Sequence, residues 1–192
     1  MKKIWIPALA LALVISFLGD AQAASYKPEY KLSLVIGPQT TWGQGAQKFS
    51  DLVKERSAGK INIKCYFSGQ LFAGMQTNEF MITRQGVADF AVGSTINWSP
   101  TVKELNLFSL PFFFPNYKAL DALEAGEPGK QVFKIIEEKG VVGLAWGENG
   151  FREMTNSKRA VRKPEDLDGL KIRVVGSPIS SSAVSMAAAN RM

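Results

Sequence analysis

Apolar and polar positions alternate along Tyr30-Lys31-Leu32-Ser33-Leu34 and then run apolar through Val35-Ile36 to Gly37, which predicts a first strand. Gly37 to Thr41 reads as a loop, with Thr40 or Thr41 as a helix N-cap. Trp42, Ala46, Phe49, Leu52 and Val53 recur at helical spacing until Ser57-Ala58-Gly59 stops the helix. Alternation returns over Ile61 to Phe67. A strand, a helix and a strand in that order predict a parallel pair joined by a crossover helix. A turn at Ser68 to Gly74 leads to a second helix carrying Met75, Phe80, Met81 and Ile82, which ends at Gly86. Val87 to Val92 is a third strand. The pattern β-α-β-α-β is that of an open α/β sheet, whose ligands bind beyond the carboxyl ends of the strands. Ser94 to Pro100 is expected as a loop at that edge.

Further on, Phe108 to Pro115 is aromatic and bounded by prolines, so it is not a regular helix, and Phe112, Phe113 and Phe114 are expected in the core. Helices are predicted over Tyr117 to Leu123 and Gly129 to Lys139. Strands are predicted over Val141 to Trp146, Phe151 to Asn156 and Leu170 to Val175, with turn chemistry at Lys163-Pro164 and Asp166-Leu167-Asp168-Gly169. A last helix begins at Ser177 and runs to Arg191. A second group of strands is thus begun and no further strand completes it before Met192, so the expectation is a C-terminally incomplete chain.

The first residues change the picture of where the fold starts. Lys2 and Lys3, the apolar run Ile4 to Leu18, and Ala21-Gln22-Ala23 make a secretory signal with cleavage after Ala23. The apolar run is short for a membrane span, and no stable membrane insertion is expected. Loss of Lys2, Lys3 and Asp20 takes the formal net charge from +6 to +5. The remaining charges are interspersed by sign, which does not point to nucleic acid. The expected division is 1–23 as signal, 24–115 as a first α/β lobe and 116–192 as the start of a second. The single cysteine, Cys65, lies in a strand pattern and reads as a structural thiol. The chain has no histidine, which removes the commonest general base and the usual zinc ligand. No metal cluster, phosphate loop or nucleophile-base pair stands out, and no cofactor is expected.

Two arginines carry the remaining chemistry. Arg173 lies among apolar neighbours in Leu170-Lys171-Ile172-Arg173-Val174, where a buried guanidinium would require an anion. That anion is either local, from Asp166, Asp168 or Glu153, or a ligand. Arg152, in Gly150-Phe151-Arg152-Glu153, poses the same choice. Asn97 and Trp98, beyond the third strand, offer an amide and an apolar wall, with plain packing as the alternative for Trp98. Gln44 opens the first helix as a donor and acceptor for a ligand, or as a solvated surface glutamine.

An ordered set of phrases resembles a known family. Gly59-Lys60-Ile61 precedes a strand and Ser68-Gly69-Gln70-Leu71 follows it. Arg84-Gln85-Gly86-Val87-Ala88-Asp89 and Leu110-Pro111-Phe112 come next. Gly150-Phe151-Arg152 with Thr155-Asn156, and Asp166-Leu167-Asp168-Gly169-Leu170-Lys171-Ile172-Arg173, complete the set. From about Tyr30 onward the chain is similar to the periplasmic substrate-binding subunits of tripartite ATP-independent periplasmic (TRAP) transporters, the DctP type. The resemblance implies a two-lobed, type II-like periplasmic-binding-protein fold, with the second lobe only partly present here. It also implies a non-enzymatic receptor that closes on a small organic acid in the periplasm and delivers it to TRAP membrane subunits. Arg173 would form a bidentate pair with the ligand carboxylate and Arg152 a second contact. The alternatives are a receptor of the same fold serving a signalling partner, and a secreted enzyme using Asp or Glu chemistry.

Overall fold

Leu32 and Leu34 point to one face of their strand and Ser33 to the other, and all three are buried. A strand hidden on both faces belongs at the centre of a parallel sheet. The computed structural model, which describes residues 26–182, has this arrangement. Strand β1 (Tyr30–Leu34) lies between β2 (Ile63–Tyr66) and β3 (Phe90–Val92), both parallel to it, in the order β2-β1-β3. The register sets Leu32 opposite both Cys65 and Phe90. The expected signal peptide and most of the expected last helix lie outside the described residues. Among the described residues no helix is long and apolar enough to cross a membrane.

Helix α1 (Thr41–Arg56) covers the leucine face. It starts where predicted, with the Thr40 hydroxyl accepting from the Gly43 amide at 3.1 Å. Ala46 packs with Leu32, Leu34 and Ile63, and the Ser50 hydroxyl donates to the Ile63 carbonyl. Gly43 is needed for a close approach: a Cβ there would stand 2.4 Å from the Gly37 carbonyl oxygen. Cys65 packs against the same cluster, and burial, followed by the charge of Asp51, pushes its thiol above the ordinary range.

The serine face is covered by α2 (Glu79–Arg84), entered through 3-10 turns at Gln70–Phe72 and Gln76–Asn78. After β3, the segment expected as a loop closes a helical turn, α3 (Thr95–Trp98), because the Ser94 carbonyl accepts from the amides of both Asn97 and Trp98. A 3-10 helix at Lys103–Ser109 follows, then α4 (Tyr117–Ala125) and α5 (Glu127–Glu138). Phe80, Val102, Leu105, Val132 and Ile136 form a second apolar cluster, so α5 packs directly against the helices that precede residue 115.

Two expectations are corrected. Phe112 and Phe113 are not core residues: Phe112 is 102% exposed and Phe113 51%. The Phe113 amide donates to the Leu110 carbonyl across a turn with Pro111 second and Phe112 third at φ 59°, which throws the Phe112 ring outward. Phe114 is half-buried and stacks on Phe108. The second correction concerns the strands expected in 141–156 and 170–175, which form no ladder among the described residues. Alternation along a chain marks a face to be covered, whereas a strand also needs a neighbour to hydrogen-bond.

The Gly37 contact yields a stability prediction. Gly43→Ala should destabilise the protein by about 1–3 kcal/mol through overpacking against backbone that cannot yield. Denaturant unfolding of the variant beside the parent measures it.

Candidate functional site: a cleft at the carboxyl edge of the sheet

The carboxyl ends of the strands open into a cavity of about 1990 Å³. That exceeds the roughly 300–1,000 Å³ of a site fitted to a small molecule, so this is an open cleft. One wall comes from the sheet and its helices, with Trp42, Phe90, Ser94 and Trp98. The other comes from residues 141–158 and 169–175. Trp146 anchors the first of these segments by stacking on Phe133 at 4.5 Å between ring centroids and leaning on Phe108 at 5.2 Å. The Trp42 indole donates to the Glu148 carbonyl at 3.0 Å, tying the mouth of α1 to the same segment.

Trp98 is held from three sides. Its ring meets Phe80 edge-on at 5.3 Å. Its other neighbour is Gly93, where a Cβ would stand 2.0 Å from the indole. Its Nε1 donates to Glu79 Oε2 at 3.3 Å, while Glu79 Oε1 accepts from the Ser33 hydroxyl at 2.9 Å. Glu79 is fully buried. Burial pushes its carboxyl up to about 7, against the opposing pull of the Ser33 and Trp98 hydrogen bonds. Sequence reasoning did not single out Glu79, because a glutamate opening a helix ordinarily serves the helix dipole.

Arg152 and Arg173 both line the cleft. Arg173 is exposed rather than buried in a strand, since Leu170 to Val175 pairs with nothing among the described residues. Neither guanidinium makes an ion pair or hydrogen bond among the described residues. Of the local carboxylates, Asp166 is engaged elsewhere: its Oδ2 accepts from the amides of Arg162 at 2.9 Å and Lys163 at 3.1 Å. Arg159 in turn donates to the backbone carbonyls of Asp166 and Asp168. Asn97 is 4% exposed and stands behind the cleft wall, its Oδ1 without a partner among the described residues. Gln44 lies on the outer surface of α1, with Nε2 donating to the Gln39 carbonyl at 3.3 Å, and does not line the cleft. Among the described residues no three His, Cys, Asp or Glu side chains group as a metal site requires. The arrangement suits an anion: two planar cations, unpaired among the described residues, line the same cleft as the indoles of Trp42 and Trp98.

Comparison with known proteins agrees with this geometry. The family model for bacterial extracellular solute-binding protein, family 7 (DctP) matches residues 32–191, and the chain belongs to that family. A TRAP periplasmic solute-binding protein from Ralstonia eutropha H16, solved with bound (S)-2-hydroxy-2-methyl-3-oxobutanoate, superposes with a TM-score of 0.83 at 62% identity. That match covers 85% of this chain and 52% of the other. The succinate-bound protein from Sulfurospirillum deleyianum superposes with a TM-score of 0.78 at 29% identity, over 84% of this chain and 52% of its own. The C4-dicarboxylate-binding periplasmic protein DctP of Rhodobacter capsulatus is 31% identical over 90% of this chain and 49% of its own length. The α/β fold is therefore that of TRAP solute-binding proteins, and the chain spans about half the length of the curated relatives it matches. Those relatives are named as binding proteins.

Glu79 gives the site a pH signature. Its carboxyl holds a proton to about 7 when folded, against 4.5 for an ordinary glutamate. The folded state thus binds the proton more tightly, so the contribution of Glu79 to stability is fully present below 4.5 and is lost as pH rises from there to about 7. Glu79→Gln has no such loss. Between pH 5 and pH 8 its stability should gain about 2–3 kcal/mol relative to the parent, measured by urea unfolding at both pH values.

Proposed function

We propose that this chain is the ligand-receiving part of a periplasmic TRAP receptor that captures a small organic acid by closing on it and passes it to TRAP membrane subunits. The observation that carries the reading is the pair of guanidiniums, Arg152 and Arg173, unpaired among the described residues and lining the same cleft as Trp98. Arg173 grips the ligand carboxylate as a bidentate fork, Arg152 adds a second donor set, and Trp42 and Trp98 shield the apolar part of the ligand. Closure would exclude water and strengthen each charged contact. The role is capture and release, without catalysis.

The lobe division near residue 115 belongs to this reading. The sheet lies wholly before it and both arginines after it, so a bound acid would bridge the two sides. Export by the residue 1–23 signal would deliver the protein to the periplasm. For the ligand, we favour a short 2-hydroxy-3-oxo acid of the kind bound by the 62% identical Ralstonia protein.

In a thermal-shift screen of organic acids, 2-acetolactate should raise the melting temperature of the purified protein, by the linkage between binding and stability. By calorimetry, Arg173→Lys should weaken that acid at least tenfold, because an ammonium cannot reproduce the planar fork. Stability without ligand should not change, since the guanidinium is exposed and unpaired among the described residues. Equal affinity in parent and variant would overturn the role given to Arg173.

A further inference from the structure

The buried carboxyl of Glu79 has no place in anion capture as described, yet it reaches the cleft through one bond. Ser33 comes from the central strand, Glu79 from the helix on that face, and Trp98 from the helical turn beyond β3. These three side chains form one chain of hydrogen bonds from the core to the cleft wall. Glu79 is the middle link, and both of its oxygens are engaged.

We propose that Glu79 is a positioning residue for the ligand cleft: it locks the Trp98 indole over Gly93 and so sets how large an acid the cleft admits at the carboxyl end of β3. The geometry leaves the indole little alternative. Phe80 blocks one side, and the bare backbone at Gly93 accepts the ring only because no Cβ is present. Packing restricts the plane of the ring, but an edge-on contact does not decide which edge carries the N–H. The carboxylate does decide it, because Nε1 donates only and must face an acceptor when buried. Indole area exposed to the cleft therefore depends on a residue that does not line the cleft.

The surroundings isolate Glu79 electrically. Strand β3, helix α3 and the two 3-10 turns packed against α2 carry no charged residue. Strand β1 brings Lys31, whose charge acts on Asp89, and Arg84 at the far end of α2 is exposed. The titration of Glu79 near 7 is consequently set by burial and its two donors, and Trp98 is the natural reporter of it.

The proposal rests on the organic-acid reading of the cleft, and two measurements separate the two. The first needs no ligand. Trp98 emission is obtained by difference against Trp98→Phe and followed across pH 5–9, in the parent and in Glu79→Gln. The expected result is a transition near pH 7 in the parent that vanishes in the glutamine variant, whose side chain still accepts from the indole. A flat parent profile, or a transition that survives in Glu79→Gln, overturns the positioning role. The second measurement compares affinities for 2-acetolactate and the longer galactonate. Glu79→Ala should shift their ratio at least fivefold toward galactonate, with Glu79→Gln restoring the parent ratio. An unchanged ratio in Glu79→Ala overturns the size-setting role. If that variant does not fold, Ser33→Ala, which removes one of the two tethers, should move the ratio in the same direction, and no movement overturns it equally. Failure of the parent to bind either acid refutes the organic-acid reading, and the size-setting role falls with it. The emission experiment still decides the positioning of the indole.

Discussion

Strand β1 is hidden on both faces, and the two faces impose different demands. Leu32 and Leu34 need only apolar cover, which α1 supplies with Ala46 and its neighbours. Ser33 brings a hydroxyl into a place without water, and an unpaired hydroxyl there costs on the order of 1–3 kcal/mol. Glu79 Oε1 accepts a hydrogen bond from that hydroxyl, and Glu79 is itself a buried carboxyl with a second oxygen to satisfy. Trp98 supplies the second donor, and its indole forms part of the cleft wall. One polar residue in a central strand thus propagates outward to the shape of the site. Replacing Ser33 and Glu79 by apolar residues of similar volume would relieve the desolvation cost, but it would leave the indole without its acceptor.

The opposite wall works by the reverse logic. Arg152 and Arg173 are exposed and unpaired among the described residues, so they keep their hydration and pay nothing for burial while no ligand is present. Their surroundings keep them so. Asp166 is held by two backbone amides, and Arg159 rather than Arg173 reaches the carbonyls of that turn. A guanidinium already paired to a neighbour would have to break that pair before gripping a ligand, and the difference would be lost from affinity.

How much of this was legible in the sequence follows from what each signal depends on. The β-α-β-α-β order, the α1 cap at Thr40 and the parallel pairing depend on local periodicity and capping, and they appear as read. The arginines were legible as cations in apolar phrases, but their exposure was not, because alternation in Leu170 to Val175 does not reveal whether a neighbouring strand exists. Phe112 misled for a related reason. Three phenylalanines in a row suggest a core, whereas the proline before them sets a turn that aims one ring outward. Glu79 was invisible: its importance comes from Ser33 and Trp98, 46 and 19 residues away along the chain, and no local pattern connects them.

The segments carrying the arginines have no ladder among the described residues, so something else must fix where they start. Aromatic packing and one backbone contact do this for the first of them. Trp146, stacked on Phe133 and leaning on Phe108, anchors residues 141–146 to the apolar cluster beneath β3. The Trp42 indole then holds the Glu148 carbonyl four residues before Arg152. Such anchoring fixes the root of a segment, and the proposed closure would need only its tip to move. Rings sliding over one another change their contact area gradually, whereas a ladder of directional hydrogen bonds would resist until it broke. The indole of Trp98 is held by Phe80, Gly93 and Glu79, whereas the guanidiniums lie on segments with no ladder among the described residues. A ligand drawn in by the arginines would therefore be measured against the rigid surface that Glu79 sets.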